Sequence, residues 1–427
     1  MYKSKKSYIY KTILLSILAM LTIIASVLCF FNYGIDQVGG SLLIGGSIIG
    51  FFILGSKDTF NPLAIYTVFW LGSAGLSCFR MSKDQYSWSW YMWLVVLTAY
   101  ITFVIGYLIV KKRVTKSSSS RTVDVNKLYI AIVTVVILSV LALIFEILVL
   151  GYLPLLSKDM RAYKNFHISG IHYLVVSISL IPPLTMIYRK LGGKKHIIVL
   201  NVISFIVPVL IVSRQLTIFE FVVCIIAYHY LYKKIKMKFI ISFSIVGMLV
   251  FSASGKLRNQ NVDYIKHAAR IESTSNSLLI QPYLYFAMNF ENLRNIVENF
   301  DDFQCGRNMT FPILAFSNTK KYVDYSYKSD YITNENFTTS TYLSDVYFDF
   351  GYFGVLVIPF LLGMIYSLFY IAVTKAKITL NSLMDYILTY CLIFCFFMPW
   401  HFNPTIWFYF IVLIIMGLFC SKRHTAC

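Results

Sequence analysis

Two aspartates four residues apart, Asp345 and Asp349, stand out as groups that could do chemistry, in the run TYLSDVYFDFGYFG from Thr341 to Gly354. If a helix begins near Ser344, positions i and i+4 lie on one face. Two facing carboxylates raise one another's affinity for a proton, as accepting one from a hydroxyl requires. A plainer reading stands beside this one: Asp345 complements the helix N-terminus and Asp349 pairs with a nearby arginine.

Four arginines form the second group. Arg161 lies in the connection from Gly151 to Gly170, Arg214 stands between two short apolar runs, and Arg258 and Arg270 follow a further apolar run. A guanidinium so close to hydrocarbon is costly unless it snorkels, pairs or meets an anion. Its planar fork of donors matches a diphosphate, which makes these sites natural clamps for a lipid pyrophosphate. The alternatives are local: Arg258 snorkels beside Lys256, Arg214 pairs with Glu220 about two turns deeper, and Arg161 is an ordinary loop residue.

Other chemistry is thinly provided. Cys391 and Cys395 share a helix face but have no His or Cys partners at metal-binding spacing, so they read as packing residues, and no metal site is expected. The histidines expected to face outward, His167, His172, His267 and His401, show no arrangement with acidic partners. Tyr322, Tyr325, Tyr327 and Tyr331 offer ring faces, as interfacial belts also do.

These groups must be positioned by helices in a membrane. Hydrophobic residues make up 58% of the chain and charged residues 13%, and the uncharged runs are long enough to cross about 30 Å of hydrocarbon. Backbone groups in lipid must be satisfied within their own segment, so the expected fold is all-α and polytopic. About twelve spans are expected, near 11–31, 38–55, 62–79, 89–110, 128–150, 170–188, 197–213, 216–232, 239–254, 347–373, 383–400 and 404–420. The first is read as an uncleaved helix, because no clear cleavage site follows it. Glycines of the second span, including Gly46 and Gly50, predict close helix packing.

Basic residues set the orientation. The N-terminus, the even-numbered connections and the C-terminus hold 23 of the 38 Lys and Arg, and the short odd-numbered connections hold six. Both termini are therefore expected in the cytoplasm. One connection, 255–346, is 92 residues long and faces outward; its nine basic and ten acidic residues nearly cancel. The net charge of +19 is thus a topology signal and not a nucleic-acid footprint. The chain divides into helices 1–9 with short loops (1–254), the large outer loop (255–346), and helices 10–12 with the C-terminus (347–427).

The TYLSDVYFDFGYFGV segment with Gly363 beyond it, SRQLT at 213–217 and MRAY at 160–163 resemble the Wzy-type oligosaccharide repeat-unit polymerases of O-antigen and capsular polysaccharide assembly. The resemblance implies the O-antigen polymerase/ligase (GT-C-like) architecture, with the large loop in the periplasm and the chain in the bacterial inner membrane. It implies a metal-independent glycosyltransferase, without cofactor, that extends glycans carried on undecaprenyl diphosphate. A chain-length regulator and a flippase are the further partners it implies. Carried over residue by residue, pyrophosphate binding falls on Arg161 and Arg214, then Arg258. The corresponding mechanism is an inverting displacement in which Asp345 or Asp349 takes the acceptor proton and the arginines neutralise the departing diphosphate.

Rival readings are a lipid-linked oligosaccharide flippase, an O-antigen ligase and a membrane acyltransferase. A flippase should show pseudo-symmetric halves and central charges, whereas here the halves are unlike and the charges crowd the outer edge. An acyltransferase would need a histidine-centred site. The first outer connection, around Asp36, is too short for the acidic loop of metal-dependent lipid-phosphosugar glycosyltransferases.

Overall fold

The computed structural model describes residues 24, 36–113, 122–159, 162–237, 239–240, 242, 266–271, 277–375 and 379–422. Most of the expected first and ninth spans, Arg161 and Arg258 lie outside the described residues.

Capping chemistry sets where the helices start. α1 (Asp36–Leu54) is followed by α2 (Pro62–Tyr66), which begins where the Asn61 side chain accepts from Leu63 N at 3.0 Å and proline fills the first helical position. A π turn, Thr67–Leu71, carries α2 into α3 (Gly72–Ser77), so one apolar rod runs from Pro62 to Ser77. α4 (Trp90–Arg113) returns, and β1 (Thr122–Val123) leads into α5 (Val125–Leu150). Asp124 caps α5 by accepting from Asn126 N and Lys127 N, and Gly151 ends it at φ 76°. α6 (His172–Val176) and α7 (Ile181–Lys190) are joined by a 3-10 turn, Ser177–Leu180. α8 (Val199–Leu210) and α9 (Arg214–Leu231) form a hairpin, turning at Val212 with φ 55° and capped by Ser213.

After the described residues resume come α10 (Ser277–Asn299), α11 (Phe311–Phe316), α12 (Leu343–Lys375), α13 (Leu380–Ile393), α14 (Pro404–Cys420) and β2 (Ser421–Lys422). Among the described residues, four stretches are long and apolar enough to cross a membrane: Gln37–Leu54, Trp90–Lys112, Val125–Leu150 and Leu343–Thr374. Pro62–Ser77, Lys195–Leu210, Leu380–Ile393 and Pro404–Cys420 are shorter apolar helices. Large side chains such as Ile137, Leu141, Phe145 and Leu148 are exposed on α5, a surface suited to lipid and not to water.

The tightest crossing is α4 against α12. A Cβ on Gly106 would lie 2.1 Å from Phe360 O, and one on Gly363 would lie 2.1 Å from Phe103 O, so the two backbones touch. α1 and α3 meet in the same way, with a Cβ on Gly40 only 2.6 Å from Gly75 O. Cys391 and Cys395 are buried in the core around α13.

Connections gather at two ends. At one, Lys234 Nζ donates to Lys57 O and Thr59 Oγ1 to Ile235 O, both at 3.2 Å, and β1 pairs antiparallel with β2, Thr122 opposite Lys422. His229 sits there too. Its Nδ1 accepts from Ile235 N at 3.0 Å, so Nε2 carries the proton and faces Asp58 Oδ1 at 3.1 Å, while Tyr370 donates to Asp58 Oδ2 at 3.1 Å. Burial pushes the Asp58 carboxyl up, but these donors and Phe60 N–H outweigh it and hold the group below its ordinary value.

At the other end, about 36 Å away along the 24 residues of α4, Ser82 Oγ donates to Ala269 O at 2.6 Å and Tyr342 N to Cys395 O at 2.9 Å. The Tyr173 and Phe316 rings there lie 5.3 Å apart.

Part of the 255–346 segment is docked: α10 lies down on the bundle and buries Ile280, Leu284, Ala287, Phe290, Leu293 and Val297. The Phe290 ring sits 5.0 Å from Trp70 and 5.7 Å from Trp88, inside the main core. The apolar face of a 23-residue amphipathic helix is removed from water by docking, which charge counts along the sequence do not register.

Candidate active site

α12 is bent at Gly351, whose φ of 55° and ψ of −143° suit glycine alone. The bend frees helix carbonyls that would otherwise accept from the next turn. Phe348 O takes Gln304 N at 2.8 Å and Asp349 O takes Cys305 N at 3.0 Å. The Asp349 side chain completes the attachment: Oδ1 accepts from Asn308 N (2.9 Å) and Asn308 Nδ2 (2.8 Å), and Oδ2 from Met309 N (2.7 Å). Asp349 is 1% exposed. Its partners are amides and not the arginine of the plainer reading, and they hold the 304–309 turn against α12.

Asp345, one turn earlier, points differently. Its Oδ1 receives Lys328 Nζ at 2.6 Å, and that ammonium also lies 5.5 Å from the Tyr325 ring and 5.8 Å from the Phe348 ring. The neighbouring Tyr327 donates to Asn308 Oδ1 at 2.8 Å, which fixes the amide so that its NH2 faces Asp349. Burial pushes the Tyr327 phenol up to about 12, keeping it a donor at neutral pH. The 326–331 turn is therefore tied to both aspartates.

Of the four arginines, Arg214 and Arg270 are among the described residues. Arg270, at φ 48°, sends Nη1 to Asp84 Oδ1 at 3.2 Å while its side chain stays 70% exposed. Asn334 Nδ2 donates to Asp84 Oδ2 at 2.6 Å, so one carboxylate joins the 80–89 connection to two parts of the long loop. Arg214 is the first residue of α9, 15 residues ahead of His229; at 1.5 Å per residue it lies roughly 20 Å from the Asp58 end, towards the end that carries the long loop. Glu220, weighed as its partner, is fully buried and accepts from Ser204 Oγ at 2.8 Å.

Behind this face, Arg294 on α10 bridges Glu291 (Nε to Oε1, 2.7 Å) and Glu298. The two glutamates accept from Tyr86 N and Ser89 N, both at 3.1 Å. Burial pushes the Glu291 carboxyl up, against the pull of Arg294, and the hydrogen bonds to Tyr86 N and Ser89 N tie the cluster to the 80–89 connection.

The histidine expectation is corrected. His172, at the start of α6, places Nδ1 3.0 Å from Oε2 and 3.3 Å from Oε1 of Glu146, a fully buried residue of α5. The signal available in the sequence was Glu146 itself, the single acidic residue in α5, since an ionisable group within a span is seldom idle. Lys328 and Asp84 carried no such signal, because their partners lie 17 and 186 or more residues away.

A family model described as "Putative O-antigen polymerase" matches residues 58–395, most of the chain. No curated protein matches. No solved structure matches either.

Proposed function

The chain belongs to the O-antigen polymerase family, and from that membership we propose that it joins oligosaccharide repeat units carried on undecaprenyl diphosphate, at the periplasmic face of the inner membrane. The observation that carries this reading is the gathering of charged side chains at the single end of the bundle where the long loop folds down. A reaction between two lipid-linked glycans needs such a place, with lipid at its edge and water above it.

In this reading Arg161, Arg214, Arg258 and Arg270 hold the diphosphates. The pairing of Arg270 with Asp84 uses one of its nitrogens and leaves a guanidinium accessible to solvent. Asp345 and Asp349 frame the acceptor side: Asp349 fastens the 304–309 turn, and Asp345 places Lys328. The terminal sugar hydroxyl of the acceptor attacks the anomeric carbon of the donor glycan from the face opposite the diphosphate, with inversion. Fixed positive charge stabilises the leaving group as it departs. The orientation, with both termini in the cytoplasm, rests on the distribution of basic residues.

The test is reconstitution of the purified protein in vesicles with purified lipid-linked repeat units. Chains of many repeats are expected, with one lipid diphosphate released per bond and no loss of rate in EDTA. Translocation of unit-length lipid without bond formation would make the protein a flippase. Transfer only to lipid A core would make it a ligase.

A further inference from the structure

Glu146 and His172 form a pair that the mechanism so far does not use. Glu146 cannot turn away from the imidazole, because Oε1 also accepts Ile168 N at 2.9 Å and the side chain is fully buried. With Nδ1 directed at the carboxylate, the neutral imidazole donates from Nδ1 and carries its lone pair on Nε2. Among the described residues nothing bonds to Nε2, and the side chain is 28% exposed. The connection before it is folded onto the helix ends, with Tyr152 OH donating to Ala162 O at 3.2 Å and the Tyr152 and Phe166 rings 5.6 Å apart. Leu155 and Leu156 on the same connection are exposed, an apolar surface where a polyprenyl carrier would arrive. Through Tyr173 and Phe316 this corner meets α11, which follows the turn that Asp349 fastens.

We propose that His172 is the catalytic base of the polymerisation described above and that Glu146 is its positioning residue; the proposal rests on that reading of function. Asp349 is committed to three donors and Asp345 Oδ1 to Lys328, whereas His172 presents an uncommitted nitrogen held in one orientation. In the step, the acceptor oxygen bonds to the anomeric carbon as the bond from that carbon to the diphosphate oxygen breaks. The electron pair of the broken bond leaves with the diphosphate. The hydroxyl proton passes to Nε2, and the imidazolium, stabilised by Glu146, returns it to water.

The experiment uses the full chain in vesicles with purified lipid-linked repeat units, which wild-type protein must polymerise; if it does not, the functional reading fails before the proposal is reached. His172→Ala should lower turnover by about 10²- to 10⁴-fold, the usual effect of losing a general base, with little change in KM. Added imidazole should restore turnover by at least about tenfold, since a small base can fill the vacated space. Glu146→Gln should reduce turnover about tenfold, and the double variant should be no slower than His172→Ala, because two residues acting as one unit do not add. Normal turnover in His172→Ala overturns the proposal, as does a loss that imidazole leaves unrelieved in protein of wild-type melting temperature. If the alanine variant melts early, His172→Gln keeps a donor towards Glu146 and removes the base; turnover within about tenfold of wild type in that variant overturns the proposal equally.

Discussion

At Asp349 three donors converge on one carboxylate that is almost without solvent. A hydrogen bond to a buried charged group contributes about 1.5–3 kcal/mol, and Asparagine in its place would turn an NH2 towards at least one N–H donor. Asp349→Asn should therefore destabilise the protein by roughly 2–3 kcal/mol, seen as a lower melting temperature in detergent. Asp345→Asn removes a pairing with a lysine that is one-third exposed, so its melting temperature should move little, and polymer synthesis should stay within about tenfold of wild type. A fall of about 10²- to 10⁴-fold in that variant would return proton acceptance to Asp345. For Arg214 the relevant property is shape. Arg214→Lys keeps the charge at the start of α9 but not the planar fork, and polymer yield at normal expression should drop by at least about tenfold. Near-normal polymer would reduce Arg214 to a snorkelling anchor.

Among the helices, the bend in α12 has the clearest consequence. Gly351 lets Phe348 and Asp349 offer their carbonyls sideways to the 304–305 backbone. An alanine Cβ would lie 2.6 Å from Phe303 Cζ, but that is the far end of a half-exposed ring and can move. The backbone conformation cannot relax so easily, and holding a residue with a Cβ there costs about 1–3 kcal/mol. Gly351→Ala should thus lower stability by that amount and raise hydrogen exchange in the 304–309 turn more than in α4. Equal exchange in both would mean that the bend does not hold the turn. α10 shows what a sequence reading by hydropathy passes over. Its charged residues hide it, yet Ile280, Leu284, Ala287, Phe290, Leu293 and Val297 follow one another at spacings of three or four residues, the signature of a helix with one buried face.

For the molecule as a whole, the two-ended grouping of connections predicts sidedness. Reporter fusions truncated near residue 235 should report the cytoplasm, and those truncated near residue 300 should report the periplasm. The two positions belong to opposite ends, by the contacts of Ile235 with Thr59 and of Tyr347 with Val297. The same side for both would mean that the chain does not cross between Lys238 and Lys266.

Apolar run length determined the helical membrane class and the starts of most helices. It is a property of neighbouring residues and of the bilayer, so no folded structure is needed to read it. The TYLSDVYFDFGYFG stretch likewise marked the entry to α12 and the family to which the chain belongs. What each polar side chain does there was decided only in three dimensions. Asp349 meets Asn308 from 41 residues away, Asp84 meets Asn334 from 250, and Glu146 meets His172 across a turn between two helices. A carboxylate acts as a base, a clamp or a hinge according to which donors surround it, and for these residues the donors are supplied by packing between segments that lie far apart in the chain or on separate helices.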